Sequence, residues 1–535
     1  MSESNQMFDY VIVGAGSAGC ILANRLSEDP AVRVCLVEAG PRDTHPLIKI
    51  PAGVAGIVGN KVLNWGYKTV PQPSLNDRQI NVPRGRVLGG SSSLNGMVYF
   101  RGNQEDFNNW ARLGNVGWGY QDLLPYFIRN EANNKFTDPV YHGTKGPMAV
   151  SSYHHVNPLV DSFLAAAASL QYPQCEDFNG ASSEGFGVRQ ANIRNGRRES
   201  TATGYLRPAS GRSNLKVVTG ALVDSIRMEG KRATGINLFH DGVKEILSAR
   251  REVLVCCGSY GSPALLQRSG IGPAELLKSV GIEVRHELRG VGENLQDHIV
   301  APVQMKTDDP TSYGVSLRVL PRLAWNLLEY VFARRGLLAS NLFEATGMVR
   351  STPEVSLPDL QMIFMPAHRN ASGFPIPFGH GYGILNVLLQ PKSRGNVRIA
   401  SKAPQDAPLI DPKFFDDESD FEPLLRGVDL SRRLFANPAF AAMKAVEILP
   451  GPNVQGTDEI KASIRQTAVT VHHPIGTCKM GQDADAVVDT QLRVHGIDGL
   501  RVIDGSVMPL VVRGNTAASI MAIAEKASDL IRGLT

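Results

Sequence analysis

Tyr10-Val-Ile-Val-Gly14-Ala-Gly16-Ser17-Ala18-Gly19 runs from a short apolar segment into a glycine-spaced turn, and a helical run from Cys20 to Leu26 follows. Pro30 breaks that run, and a second apolar segment, Val34 to Val37, ends at Glu38. Strand, turn, helix and strand in this order make a βαβ unit. Each glycine has a physical reason. Gly14 permits the tight turn, Gly16 lets backbone approach a pyrophosphate, and Gly19 allows helix to pack closely on strand. The helix N-terminus then faces an anion. Glu38 stands nineteen residues after Gly19, where a carboxylate accepts from a ribose 2′-OH and favours an unphosphorylated ribose. In this register the motif predicts nucleotide binding by an α/β domain, without separating FAD from NAD.

The rest of the chain sets the scale. Its 535 residues predict two to four folding units, and its 53 glycines exceed the usual share of about 7%. A net charge of +4 is small for this size and argues against a nucleic-acid partner, which would need a concentrated basic stripe. Six cysteines (Cys20, Cys35, Cys175, Cys256, Cys257, Cys478) include no C-x-x-C and read as reduced, buried residues of a cytoplasmic protein. Met1 to Met7 is polar and carries no signal pattern. No stretch reaches the ~20 apolar residues of a membrane span. The nearest, Leu320 to Leu338, is interrupted by Arg322, Glu329, Arg334 and Arg335. It is expected to be an amphipathic helix covering a core, with a membrane-facing or dimer-facing helix as the alternative. The expected location is the cytoplasm, with peripheral membrane contact and oligomeric state left open.

Further elements read as a strand-rich segment from Leu215 to Val255, a helix from Leu424 to Phe435 and a strand from Tyr382 to Gln390. A strand from Leu500 to Ile503 and a helix from Ala517 to Ile531 close the chain in the style of its beginning. The ends are therefore expected to fold together around a different middle.

Three segments add to the fingerprint. Pro83 to Gly96 holds Gly85, Gly89, Gly90, Ser91, Ser92, Ser93 and Asn95, the material of an anion nest or of a surface against a flat ring. Leu500-Arg-Val-Ile-Asp504-Gly505 is a strand ending in a carboxylate turn. Cys257-Gly258-Ser259-Tyr260-Gly261 follows an apolar strand; Cys257 in the first glycine place of G-x-S-x-G disfavours a serine hydrolase. Val471-His472-His473-Pro474 leaves a catalytic base, a metal site and packed core histidines open. Adjacent strand residues point to opposite faces, which disfavours one shared metal, and no metal is expected. Cys478 lacks any sign of activation as a nucleophile.

Taken in order, these motifs resemble the glucose–methanol–choline (GMC) oxidoreductase family from end to end. The resemblance rests on Gly14 to Gly19 with Glu38, on Arg84 to Met97, on Gly258 to Gly272, on Val291 to His298, and on the terminal His-Pro and Gly-Asn motifs. It implies a Rossmann-like FAD-binding α/β domain (1–155, 190–305 and 465–535). A second, α+β substrate domain (156–189 and 306–464) would be built on an antiparallel sheet. It implies FAD on Gly14, Gly16, Ser17, Ala18, Gly19, Glu38 and Ala39, with Val223 at the adenine. Val87, Gly89, Gly90, Ser91, Asn95, Gly96, Met97 and Val98 would line the flavin, with Trp65, Gly258, His472 and Thr516 nearby. Asp504 and Gly505 would hold the ribitol–phosphate end. Leu94 stands where some members attach FAD through a histidine, so binding would be non-covalent.

The same resemblance assigns His473 as the base that takes an alcohol's proton and Asn515 as the group that hydrogen-bonds the developing alkoxide, with hydride passing to flavin N5. It implies a small-molecule alcohol as substrate and a quinone or dye-like electron acceptor, as in the bacterial branch of choline and aliphatic-alcohol dehydrogenases. An oxygen-using oxidase is the alternative, and an FAD-containing lyase is another. Residues from about 305 to 460 would shape the pocket, where Glu344 is a candidate for a cationic substrate and a paired carboxylate is the plainer reading.

Overall fold

β1 (Gln6–Val13), α1 (Ser17–Leu26) and β2 (Val34–Glu38) form the expected βαβ unit in the computed structural model, which describes residues 6–367 and 377–534. Met1 to Asn5 of the polar first residues, and 368–376 of the region expected to shape the pocket, lie outside the described residues. β1 pairs in parallel with β2 on one side and with Val243–Val255 on the other, so Val13 lies level with both Val37 and Val255. Strands covered on both faces read as continuous apolar runs, and Tyr10 to Val13 and Val34 to Glu38 are buried throughout.

The first sheet has seven strands, ordered Leu215–Thr219, β2, β1, Val243–Val255, Arg232–His240, Ala221–Glu229, with Leu500–Val502 also on Val243–Val255. Its parallel strands all point the same way, and their carboxyl ends carry the Gly14 turn, Glu38, Gly220, Cys257-Gly258 and Asp504. The carboxyl ends of an open parallel sheet are where such folds bind ligands. The two ends of the chain meet across α1: Arg25 pairs with Glu525 at 2.8 Å, on the Thr516–Arg532 helix.

A second seven-stranded sheet is antiparallel, ordered Val446–Leu449, Ile299–Thr307, His380–Leu388, Leu360–Met365, Ala345–Val349, Gly185–Val188, with Val469–Thr470 on Ile299–Thr307. The helices Leu159–Ser169 and Phe421–Phe435 contribute to its core. Two expectations differ from this arrangement. Boundaries at 305/306 and 464/465 cut through the sheet, because Ile299–Thr307 and Val469–Thr470 both belong to it. An apolar strand carries no mark of which sheet it will join. The 320–338 segment does form a helix, Leu320–Ala333, but it does not cover a core. Trp325 is 66% and Phe332 83% exposed, and Tyr330 is its buried residue.

Candidate active site and cofactor cradle

The glycine turn is built as its spacing demands. Gly14 sits at φ +96°, and a Cβ there would meet the Cys256 carbonyl oxygen at 2.5 Å. A Cβ on Gly19 would lie 1.9 Å from the Gly14 oxygen, so helix and turn touch through backbone. Gly16 differs: a Cβ there would meet only the Cys256 oxygen, at 3.8 Å. Space inside the protein does not require glycine at Gly16; the backbone surface that it leaves open does. Gly16 is also the N-cap of α1 and supplies no side-chain cap, so the amides of Ser17, Ala18 and Gly19 form an uncapped helix N-terminus suited to a phosphate.

Glu38 accepts from the amides of Ala15 (2.9 Å) and Gly40 (2.9 Å), and burial pushes its carboxyl up to about 7. Ala39 is half-buried between Glu38 and Gly40. The Gly220 amide donates to the Gly40 oxygen at 3.0 Å, which places the strand carrying Val223 beside Glu38. Asp504 is buried. Its carboxylate accepts from Gly258 N (2.8 Å), Ser262 Oγ (2.5 Å) and Ser506 N (2.8 Å), tying the Gly258–Arg268 helix to Gly505.

The second glycine loop closes over the first. The Gly89 amide donates to the Ala15 oxygen at 2.8 Å, and a Cβ on Gly90 would lie 2.7 Å from Gly16 Cα. Gly89 and Gly90 sit at φ +87° and +53°, followed by a short 3₁₀ turn, Gly90–Ser93. Ser91 Oγ accepts from Gly85 N at 3.1 Å. Val87 and Leu94 turn inward into a small core with Ile48, Ile57 and Leu63. Asn95 Oδ1 accepts from Met97 N at 3.0 Å and helps hold Met97 at φ +58°; Val98 then pairs with Ala191. A Cβ on Gly96 would approach the Phe343 ring at 3.6 Å. Trp65 stacks on Tyr67 with Arg86 over its ring, on the Arg84–Arg86 side of the loop.

Sequence reasoning missed Arg198. Its guanidinium, fully buried, donates to the oxygens of Ile48 (2.9 Å), Ser92 (3.2 Å) and Asn95 (2.6 Å), and burial lowers it to about 9. It pins the 92–95 loop from behind through carbonyls that no sequence pattern marks.

The histidine motif is a turn rather than a strand. Val469–Thr470 ends before it, and His472 adopts φ +67°. His472 and His473 therefore do not alternate across a strand as expected. One carboxylate organises the turn: Asp297 accepts from Thr470 Oγ1 (2.6 Å), His473 N (2.7 Å) and His298 N (2.9 Å). Arg84 Nη2 donates to the His472 oxygen at 2.8 Å, and Ser259 Oγ to the Pro474 oxygen at 2.6 Å.

These contacts aim His473 at two partners. Its Nδ1 lies 3.0 Å from Nδ1 of His298, and its Nε2 lies 3.0 Å from the Asn515 amide nitrogen. His298 Nε2 is 3.2 Å from the Leu389 carbonyl oxygen. That oxygen can only accept, so His298 carries its proton on Nε2 and presents Nδ1 as an acceptor. His473 must then donate from Nδ1 and keep a lone pair on Nε2. Burial holds both rings in the neutral form, lowering His298 to about 4 and His473 well below the ordinary histidine value. Asn515 is the N-cap of Thr516–Arg532, yet its side chain makes no cap bond, and its Oδ1 has no partner among the described residues. Thr516 is buried at the first position of that helix.

Known families settle whose architecture this is. The family model described as GMC oxidoreductase matches residues 8–300 in its N-terminal part and 391–524 in its C-terminal part. The chain belongs to the GMC oxidoreductase family. It is 43% identical over 529 residues to the alcohol dehydrogenase [acceptor] of Pseudomonas putida, covering 98% of this chain and 96% of that protein. It is 42% identical over 537 residues to the oxygen-dependent choline dehydrogenase of Serratia proteamaculans, covering 99% and 96%. Among solved structures it matches pyridoxine 4-oxidase from Mesorbium loti at a TM-score of 0.88, with 33% identity over 98% of this chain and 99% of that one. A variant of Aspergillus oryzae formate oxidase matches at 0.92, with 26% identity over 99% of each chain.

This chain is accordingly an FAD-binding oxidoreductase of the GMC fold. The residues present fit that cofactor: the uncapped α1 N-terminus and the open Gly16 backbone suit its pyrophosphate, and the 87–98 loop folds back onto them.

Proposed function

We propose that the protein oxidises a small-molecule alcohol to an aldehyde or ketone, with His473 as the base. The observation that carries this reading is the proton order of the chain Leu389–His298–His473–Asn515. It leaves a neutral imidazole with its Nε2 lone pair 3.0 Å from an amide donor. An alcohol hydroxyl that replaces their direct contact, the two side chains parting to admit it, would donate to Nε2 and accept from Asn515 Nδ2. Proton loss to Nε2 then leaves oxygen charge that the amide stabilises while the pair fixes the orientation of the carbon. Bound FAD would supply the hydride acceptor for that carbon.

Gly14, Gly16, Ser17, Ala18, Gly19, Glu38 and Ala39 would hold its nucleotide half, with Val223 beside the adenine. The 87–98 loop, His472, Gly258, Asp504, Gly505 and Thr516 would hold the rest. Leu94, buried in an apolar cluster, supplies no atom for a covalent bond, so the cofactor is held non-covalently. Electrons would leave to a quinone or dye-like acceptor; the name of the Pseudomonas putida relative specifies only an acceptor.

The test is an anaerobic alcohol screen following the flavin band. A substrate bleaches it, and His473→Ala lowers the bleaching rate by about 10²-fold or more. A band that no alcohol bleaches, or a His473→Ala variant at full rate, overturns the reading. Peroxide formed in air would replace the dehydrogenase with an oxidase.

A further inference from the structure

The Leu320–Ala333 helix faces outward with its apolar side. At 100° per residue, Leu327, Leu320, Val331, Leu328, Phe332 and Trp325 fall within one arc of roughly 160°. All six are at least 50% exposed, and Trp325 and Phe332, at one edge of the arc, reach 66% and 83%. The helix turns Tyr330 inward and leaves this arc to solvent. Isolated exposed apolar residues are ordinary, but a continuous helical face is not.

Charge identifies what covers it. Arg318 and Arg322 stand at the N-terminal end, Arg334 and Arg335 at the C-terminal end, and Glu329 is the sole acidic residue between Arg318 and Arg335. Arg318, Arg322 and Arg335 are exposed. A second copy of the helix, laid parallel or antiparallel, would set arginine against arginine at both ends. A negatively charged surface meets both ends favourably. An apolar face with Trp, Phe and Leu, rimmed by arginine, is the pattern of a helix lying in a lipid interface. No helix among the described residues is long and apolar enough to cross a membrane, so the helix would lie along the surface.

We propose that the Leu320–Ala333 helix docks the protein on an anionic lipid surface, with Trp325 and Phe332 inserted between headgroups and the flanking arginines against phosphates. The helix is joined closely to the cofactor cradle. Asn341, eight residues past Ala333, donates to the Gly96 oxygen at 2.5 Å. Docking therefore brings the loop at Gly96 near the bilayer. The exposed face and its arginine rim would dock in this way whatever the base or the alcohol.

The test uses the FAD-loaded enzyme with phosphatidylcholine vesicles, alone or containing phosphatidylglycerol. Sedimentation should show binding to the anionic vesicles about tenfold or more above the neutral ones, weakened by salt. Trp325 emission should shift to the blue on binding, and Trp325→Phe should remove that shift. The double variant Trp325→Ser/Phe332→Ser should lose about tenfold or more of the binding, with FAD content and melting temperature unchanged. Equal binding of wild type and double variant overturns the proposal, as does equal binding to neutral and anionic vesicles. A concentration-dependent dimer abolished by the same double variant also overturns it, assigning the face to a second copy.

Discussion

Replacing His298 tests the proton order of the site without touching the proposed base. In the wild type, the Leu389 carbonyl fixes the His298 tautomer, and His298 Nδ1 in turn fixes that of His473. His298→Leu removes the acceptor 3.0 Å from His473 Nδ1. The useful tautomer then buries an unpaired N–H, which costs about 1–3 kcal/mol. The other tautomer donates from Nε2, and a turned Asn515 amide can receive that bond through Oδ1, which has no partner among the described residues. A shift of that size lowers the fraction of His473 able to accept a proton by roughly 5- to 150-fold, and kcat should fall with it.

His298→Asn separates tautomer control from packing, because its Oδ1 restores an acceptor near the old Nδ1 position. The assay is steady-state turnover of an alcohol that bleaches the flavin, on preparations matched for bound FAD. The expected order is wild type, then the Asn variant within about fivefold, then the Leu variant well below. A Leu variant with wild-type kcat would refute the reasoning, as would Asn and Leu variants impaired alike.

Two other predictions concern the cradle and pH. Gly16→Ala should keep the fold, since its Cβ meets the Cys256 oxygen only at 3.8 Å, yet lose FAD on gel filtration; Gly19→Ala, with its Cβ 1.9 Å from the Gly14 oxygen, should lower the melting temperature of the apoprotein itself. If Gly16→Ala retains full FAD, the cradle is misplaced. His298, lowered to about 4, stays neutral in the fold while the unfolded chain takes a proton below about 6.5. Stability is therefore lost as pH falls from about 6.5 towards 4, at about 1.4 kcal/mol per unit for such a histidine. Glu38, raised to about 7, works oppositely, losing stability as pH rises from about 4.5 to 7. Urea denaturation of His298→Leu should show a shallower acid loss than wild type; identical acid slopes would contradict the lowered value.

Local spacing made the nucleotide unit legible. Gly14, Gly16, Gly19 and Glu38 lie within one βαβ unit, and each constraint is a neighbour's backbone: Cys256 for Gly14, and Gly14 itself for Gly19. His473 and Asn515 were readable from short motifs, but their 3.0 Å contact was not, since they lie 42 residues apart. His298 was seen only as the end of a motif; 175 residues separate it from His473. Arg198 acts on carbonyls, which every residue has, and so left no trace. His472 and His473 are not strand neighbours, because Asp297 and Thr470 hold a left-handed turn there, which adjacency in the sequence does not reveal.

The sequence by itself determined the class of the fold, the nucleotide turn and the identity of the residues in the chemical motifs, because those depend on periodicity and on short-range sterics. Tertiary structure alone decided three things: which sheet receives Ile299–Thr307, which tautomer His473 holds, and which way the Leu320–Ala333 helix faces. A helix has the same apolar stripe whether that stripe meets a core or solvent, and an imidazole takes its proton position from whatever lies beyond its neighbour. Both answers come from atoms far away along the chain, and only folding brings those atoms near.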